Sequence, residues 1–142
     1  MAEPVLRIDN LQVALPAGAD RPHAVHGVSL AIEPGKTLCV VGESGSGKSV
    51  MATTVMGLLP KEVRVSGGSI RLKGESLIDA SPARLRALRG QAMGMVFQEP
   101  MSALNPVHRI GRQIAEPLRL HRRLDAGSAR AEALRLLERV RM

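Results

Sequence analysis

The eight residues GESGSGKS, Gly42 to Ser49, constrain this chain more than any other stretch of it. They satisfy the spacing GxxxxGK[ST], in which small residues let a tight loop turn successive main-chain N–H groups inward around an anion. An apolar segment, TLCVVG, runs directly into the loop, and VMATTVMGLL follows it with apolar residues at three- and four-residue spacing. That succession predicts a buried strand, a phosphate-binding loop and a helix whose positive dipole end faces the same anion. Lys48 then supplies a mobile cation for β and γ phosphates, and the Ser49 hydroxyl is placed for Mg²⁺. Gly42, Glu43, Ser44, Gly45, Ser46, Gly47, Lys48, Ser49 and Val50 are the candidate binding residues.

The surrounding pattern is mixed α and β. Leu11, Val13 and Leu15 alternate with other residues, as do Val28, Leu30 and Ile32, which predicts two half-buried antiparallel strands. PAGADRP, Pro16 to Pro22, is a turn-rich connection, and Glu33 to Lys36 is a second sharp break. The TLCVVG segment reads as a strand buried on both faces, with Cys39 a small buried hydrophobe inside it. The helix after the loop is predicted over Val50 to Leu59, packed through Met51, Val55 and Leu58 and stopped by Pro60. SGGSIRLKGES predicts an exposed strand centred on Ile70 and Leu72. Ser81 caps a short basic helix opened by Pro82. MGMVFQEP predicts a further strand with Phe97 in the core. From about Arg109 the chain reads as helical, divided at Gly127 and Ser128, with Leu134, Leu137 and Val140 forming a buried stripe.

A length of 142 residues corresponds to one modest domain or a part of a larger one. With 44% hydrophobic and 23% charged residues, the composition is that of an ordinary globular chain. No apolar run approaches the roughly 20 residues of a membrane span, and MAEPVLRIDN lacks the features of a secretory signal. One cysteine forms no internal disulfide, which agrees with a reducing compartment. The chain is therefore expected in the cytoplasm.

The net charge of +7 lies entirely in the second part: residues 1–83 hold eight basic and eight acidic side chains, residues 84–142 twelve arginines and five acids. Most of these arginines, from Arg84 to Arg141, are read as solvated helix faces. Nucleic acid is not an expected partner, because sequence-tolerant strand binding adds stacking aromatics and this chain has one Phe, no Tyr and no Trp.

VGESGSGKSV followed some fifty residues later by MVFQEPMSALNP resembles the ATP-binding subunit of ABC transporters, in particular the dipeptide, oligopeptide and nickel import group. LRIDNLQV, AVHGVSLAIEPGKTL and IGRQIAEPLRLHR extend the resemblance along nearly the whole chain. It implies an α/β fold of the P-loop NTPase, ABC ATPase type, with an N-terminal antiparallel β subdomain and the start of a helical subdomain. Residues 1–142 would form part of one nucleotide-binding domain, with the phosphate loop at 42–49, a glutamine loop around Gln98 and an incomplete helical subdomain from about Arg109. The implied ligands are ATP and Mg²⁺, the metal held by Ser49 and Gln98. Gln98 would support catalysis by reaching the metal and the attacking water, and Glu99, Pro100, Met101 and Asn105 would belong to a coupling surface.

The implied partners are membrane permease subunits, a second ABC ATPase domain and, indirectly, a solute-binding protein, at the inner face of the cell membrane. The parent would hydrolyse ATP to drive import of peptides or similar small solutes.

Two departures qualify the resemblance. The family places an aromatic ring against adenine, whereas the matching position here is Leu15, with His23 in the nearby loop as an alternative. The signature LSGGQ, the second acidic strand motif with its catalytic Glu and the switch histidine are absent from the 142 residues. The chain is thus expected to be the N-terminal piece of a longer protein, able to bind nucleotide without hydrolysing it and prone to aggregate alone. His108 and His121 are not assigned the switch role. A non-transport ABC ATPase and a non-catalytic nucleotide-binding or interaction fragment remain the alternatives.

Overall fold

The computed structural model describes residues 3–99 and 103–142. The chain divides into two compact units, Met1–Arg86 and Ala87–Met142.

The first unit is built on an antiparallel sheet of β1 (Leu6–Ala14), β2 (His23–Ile32), β3 (Arg64–Leu72) and β4 (Glu75–Ser76), in the order β2-β1-β3-β4. β1 is central because it carries the most apolar inward face: Ile8, Leu11 and Val13 are fully buried. Their spacing is not a strict alternation. A register shift between Ile8 and Leu11 inserts an extra residue, so the inward face passes from even to odd positions. Asn10 takes a left-handed conformation there, φ 46°, and its N–H donates to Ser29 Oγ at 2.8 Å. Opposite it, Gly68 has φ 85°, and a Cβ at that position would overlap the Asn10 carbonyl. Only glycine lets the two backbones approach so closely.

Cross-strand pairs complete the core: Ile8 faces Leu30 and Ile70, Val13 faces Val25 and Val65. β3 pairs with the two-residue β4 only at Arg71 and Leu72 and is exposed or half-buried from Arg64 to Ser69, as the sequence suggests, whereas Ile70 and Leu72 are buried. Burying each such side chain contributes about 1.5–3 kcal/mol. The connection from Leu15 to Pro22 closes with Leu15 N–H on the Pro22 carbonyl at 3.0 Å, and a turn at Glu33–Lys36 ends β2.

Helix α1 spans Lys48–Val55, two residues earlier at its start and four earlier at its end than the sequence pattern suggests. Gly57 ends it: with φ 63° it donates to the Thr54 carbonyl at 2.9 Å, and Leu58 N–H reaches the Thr53 carbonyl at 2.9 Å. This double reversal satisfies carbonyls that the helix leaves open, so the chain turns before Pro60. The buried contacts are Thr54 and Met56 instead of Leu58, which is exposed. Thr54 is accommodated because its hydroxyl donates to the Val50 carbonyl at 2.6 Å.

Helix α2 (Pro82–Leu88) begins where Ser81 Oγ accepts from Arg84 N–H at 3.2 Å, as the sequence signals. Arg84 also forks onto Glu75 through two bonds of 2.7 Å, which lowers the Glu75 carboxyl below its ordinary pKa.

The second unit contains α3 (Ile110–Arg122) and α4 (Ala126–Arg139), packed on each other. The break between them falls at Arg123 to Asp125, where Arg123 takes φ 53° and Asp125 caps α4. Gly127 and Ser128, which the sequence reading makes the divider, lie inside the first turn of α4 and donate their N–H groups to Asp125 Oδ1 at 2.9 and 3.1 Å. An aspartate beside them can satisfy orphan donors, so the helix starts earlier. The buried face also differs. Ala129 and Ala133 are buried with Leu118, whereas Leu134 and Val140 are exposed. Small residues let the α4 backbone approach α3, and of the expected stripe only Leu137 is half-buried.

Two expected strands are not formed. Residues 37–43 have no regular structure, and Leu38, Val40, Val41 and Cys39 are exposed. Met93 to Gln98 is likewise irregular apart from one bridge between Arg89 and Met93, with Val96 and Phe97 exposed. A strand is stable only when its backbone groups find neighbours, and neither segment joins the four-stranded sheet. The burial expected for TLCVVG, Cys39 and Phe97 is thereby corrected.

Candidate phosphate-binding site

The site is built where the chain passes from the irregular segment before Gly42 into α1. Gly47 is the N-cap residue, in a left-handed conformation with φ 91°. A Cβ there would overlap the Ala24 carbonyl oxygen and stand 3.3 Å from both Ala24 C and Val25 Cγ2. The loop can therefore rest on buried Ala24 and Val25 of β2 only because residue 47 has no side chain. Gly45 is also left-handed, φ 78°, and needs glycine for that reason alone, since a Cβ would meet nothing closer than Arg21 Nη2 at 3.8 Å. At Gly42 the limit is the loop's interior: a Cβ would lie 2.8 Å from Ser46 Oγ and 3.8 Å from Lys48 Nζ.

Lys48 is folded over the loop. Its ammonium donates to the Gly42 carbonyl at 2.7 Å, the Glu43 carbonyl at 2.6 Å and Ser46 Oγ at 3.1 Å. Ser46 N–H closes back on the Glu43 carbonyl at 3.2 Å, so Glu43, Ser44 and Gly45 form one turn. The cation is thus held above a curved main chain whose last members, Lys48 and Ser49, open a helix. The unpaired N–H groups of the first helical turn carry partial positive charge toward the same place. Ser49 is exposed in that first turn and Val50 half-buried behind it. A hollow of about 160 Å³ is lined by Arg21, Ala24 and Gly45 to Val50. That is smaller than the roughly 300–1,000 Å³ of pockets enclosing a whole drug-sized ligand, and suits the phosphate end of one.

Larger hollows of about 460 and 400 Å³ lie along α3 and α4. The first is lined by Arg112, Arg119 and Arg123 with Glu116 between them, the second by arginines, the exposed Leu134 and the half-buried Leu137. Neither combines a glycine loop with a helix N-terminus, so their size does not outweigh the chemistry of the smaller hollow.

The candidates of the phosphate loop, Gly42 to Val50, all come together at this place. Gln98 does not join them within one unit: it is exposed, in the irregular stretch of the second unit. Glu99 is exposed beside it, while Pro100 and Met101 lie outside the described residues. Asn105 is held by Gln113 of α3: Asn105 N–H donates to Gln113 Oε1 at 2.8 Å, and Gln113 Nε2 donates to the Asn105 and His108 carbonyls at 2.9 Å each. Leu15 is half-buried just beyond β1. His23 belongs to β2 instead of the loop before it, its ring 5.0 Å from that of His26.

Sequence reasoning missed Arg21, which lies outside the motif and reaches it from the β1–β2 connection, with Nη2 donating to the Gly45 carbonyl at 2.7 Å. No local spacing announces such a contact, which spans 24 residues.

For Mg²⁺ the fit rests on donor chemistry. Ser49 offers a hard neutral oxygen in the first helical turn beside the hollow, and Mg²⁺ typically takes one or two protein oxygens and completes its shell with phosphate and water. Among the described residues no cluster of His, Cys, Asp and Glu could hold a metal ion by itself, and no helix is long and apolar enough to cross a membrane.

The family model described as ABC transporter matches residues 25–142. The chain is 47% identical over 141 residues to the uncharacterized ABC transporter ATP-binding protein YejF of Escherichia coli (strain K12), covering 99% of this chain and 27% of that protein. It is 44% identical over 138 residues to the oligopeptide transport ATP-binding protein OppD of Mycobacterium bovis, covering 96% of this chain and 22% of the other. This chain therefore spans about a quarter of the length of these two relatives. Among solved structures, the ATP-binding cassette MJ0796, a dimer bound to ADP and Pi, superposes with a TM-score of 0.78 at 24% identity, covering 94% of this chain and 56% of that one. That likeness concerns the fold.

Proposed function

The chain belongs to the ABC transporter family, and we propose that it binds the triphosphate of MgATP in the loop Gly42 to Ser49 as the nucleotide-binding part of a peptide importer's ATPase. The observation that carries this reading is the loop itself: glycine-dependent contact with β2, Lys48 folded over its carbonyls, and α1 opening at the same point. Main-chain N–H groups from Glu43 through Val50 wrap the phosphate oxygens. Lys48 exchanges its carbonyl partners for the β and γ phosphates, and Ser49, with Gln98, holds the metal. The Mg²⁺ that these residues would hold would supply positive charge against the phosphates.

Residues 1–142 form part of one nucleotide-binding domain in this reading, with Gln98 in its glutamine loop and a helical subdomain from about Arg109. The domain pairs with a second of its kind and, peripherally on the inner face of the membrane, with permease subunits that receive peptides from a solute-binding protein. The names of relatives such as the oligopeptide transport protein support the choice of solute. Electrostatic positioning supplies most phosphoryl-transfer catalysis, and the 142 residues contain no LSGGQ motif to complete it. This polypeptide alone accordingly binds MgATP weakly and does not turn it over.

Titration calorimetry with MgATP tests the reading: heat is expected from the wild type and none from Lys48→Ala. No heat from folded wild type refutes it, and turnover that Lys48→Ala abolishes refutes the inactivity. Co-purification with an integral membrane subunit separates a transporter from a non-transport ATPase.

A further inference from the structure

Both β2 and the connection that precedes it touch the phosphate loop. Ala24 supplies the surface on which Gly47 rests, and Arg21 reaches across to the Gly45 carbonyl. Arg21 is exposed, and it lines the same hollow as Lys48 and Ser49. The lining contains these two cations and no carboxylate, so the hollow is electropositive. A guanidinium carries five N–H donors in a planar fork suited to phosphate oxygens, and the Gly45 bond uses one of them. The closed turn from Leu15 to Pro22 fixes where the arginine stands before any ligand arrives. A side chain needed only to brace the loop would have no reason to be cationic, because one neutral N–H would serve the Gly45 carbonyl.

We propose that Arg21 is a second cationic ligand of the nucleotide's phosphate tail, acting together with Lys48. The inference rests on the phosphate-binding reading above and extends it to a residue outside the motif. The contact is charge-assisted and largely solvent-exposed, so its loss weakens binding about tenfold, in contrast to the abolition expected for Lys48→Ala. Because the tail is common to all nucleoside triphosphates, the loss is the same whatever the base.

The test measures affinities of MgATP, MgGTP and inorganic tripolyphosphate for wild type, Arg21→Ala, Arg21→Gln and Arg21→Lys, with circular dichroism to establish that each is folded. Arg21→Ala is expected to weaken all three ligands about tenfold and to flatten the salt dependence of binding. Arg21→Lys retains most of the affinity, and Arg21→Gln, which can still donate to the Gly45 carbonyl without charge, behaves like Arg21→Ala. Recovery in Arg21→Gln but not in Arg21→Lys would make the residue a brace and overturn the proposal. So would unchanged affinity in Arg21→Ala, or a loss confined to ATP. A wild type that binds none of the three ligands sinks the phosphate-binding reading together with this one. A wild type whose binding depends on Lys48 and is indifferent to Arg21 sinks this one alone.

Discussion

Three alanine substitutions in one loop are expected to fail in three different ways. Gly45 and Gly47 both have left-handed backbones, φ 78° and 91°, and a Cβ in that region costs about 1–2 kcal/mol. Gly45→Ala carries little beyond this, since nearby space is open. Gly47→Ala adds an overlap with the Ala24 carbonyl, which is backbone and not the end of a flexible side chain. Such overpacking against backbone costs about 1–3 kcal/mol more, bringing Gly47→Ala to about 2–5 kcal/mol. Gly42→Ala overlaps only Ser46 Oγ, a hydroxyl that can rotate away, and otherwise meets Ser46 Cβ and Lys48 Nζ at ordinary contact distance, so its stability cost is small. Its methyl group instead occupies the loop's interior and weakens MgATP binding. Urea denaturation followed by circular dichroism, paired with calorimetric titration of MgATP, measures both axes. Midpoints for Gly45→Ala and Gly47→Ala that coincide, or unimpaired MgATP binding by Gly42→Ala, would refute the reasoning.

Ile8→Ala empties a fully buried position of β1 and should cost about 2–5 kcal/mol in the same denaturation assay. Ala133→Leu, at a position 2% exposed between α3 and α4, should lower stability by about 1–3 kcal/mol by forcing the helices apart; a neutral result would deny that contact. Asp125 has its carboxyl held below the ordinary aspartate range, first by the Ser128 hydroxyl and then by N–H bonds from Ser128 and Gly127. Its contribution to α4 is therefore fully present above the unfolded aspartate value near 4 and lost as pH falls through the lower folded value. Acid titration of helical ellipticity should show this component in the wild type and not in Asp125→Ala. Gln113→Ala should accelerate amide exchange at Asn105, whose N–H bonds to Gln113; unchanged exchange would contradict the geometry.

What could be read from the sequence was what depends on neighbours along the chain. The spacing of Gly42, Gly47, Lys48 and Ser49 defines the phosphate loop by itself, and Ser81 followed by Pro82 starts α2 where a cap and a pre-set φ require it. Strand alternation located the C-terminal parts of β1 and β2, but the register shift at Asn10 depends on Gly68 of another strand, 58 residues on. Apolar content alone misplaced TLCVVG and Phe97, because a run of hydrophobes declares that it wants a neighbour without declaring that one is present. In α4 two apolar faces compete, and α3 selects Ala129 and Ala133 because close approach of two backbones favours small side chains. Arg21 was illegible for the same reason: its role follows from where the β1–β2 connection delivers it.

The amide of Gln113 answers the main chain on both sides of Pro106, as an acceptor for Asn105 N–H and as a donor to the carbonyls of Asn105 and His108. Asn105 tightens the same bend with its own side chain on Val107 N–H at 2.9 Å. Mechanically, this welds a short arm to the shaft of α3. Any torque that rotates the helix swings Asn105 to His108 through the same angle, so the arm behaves as a lever and not as a tether.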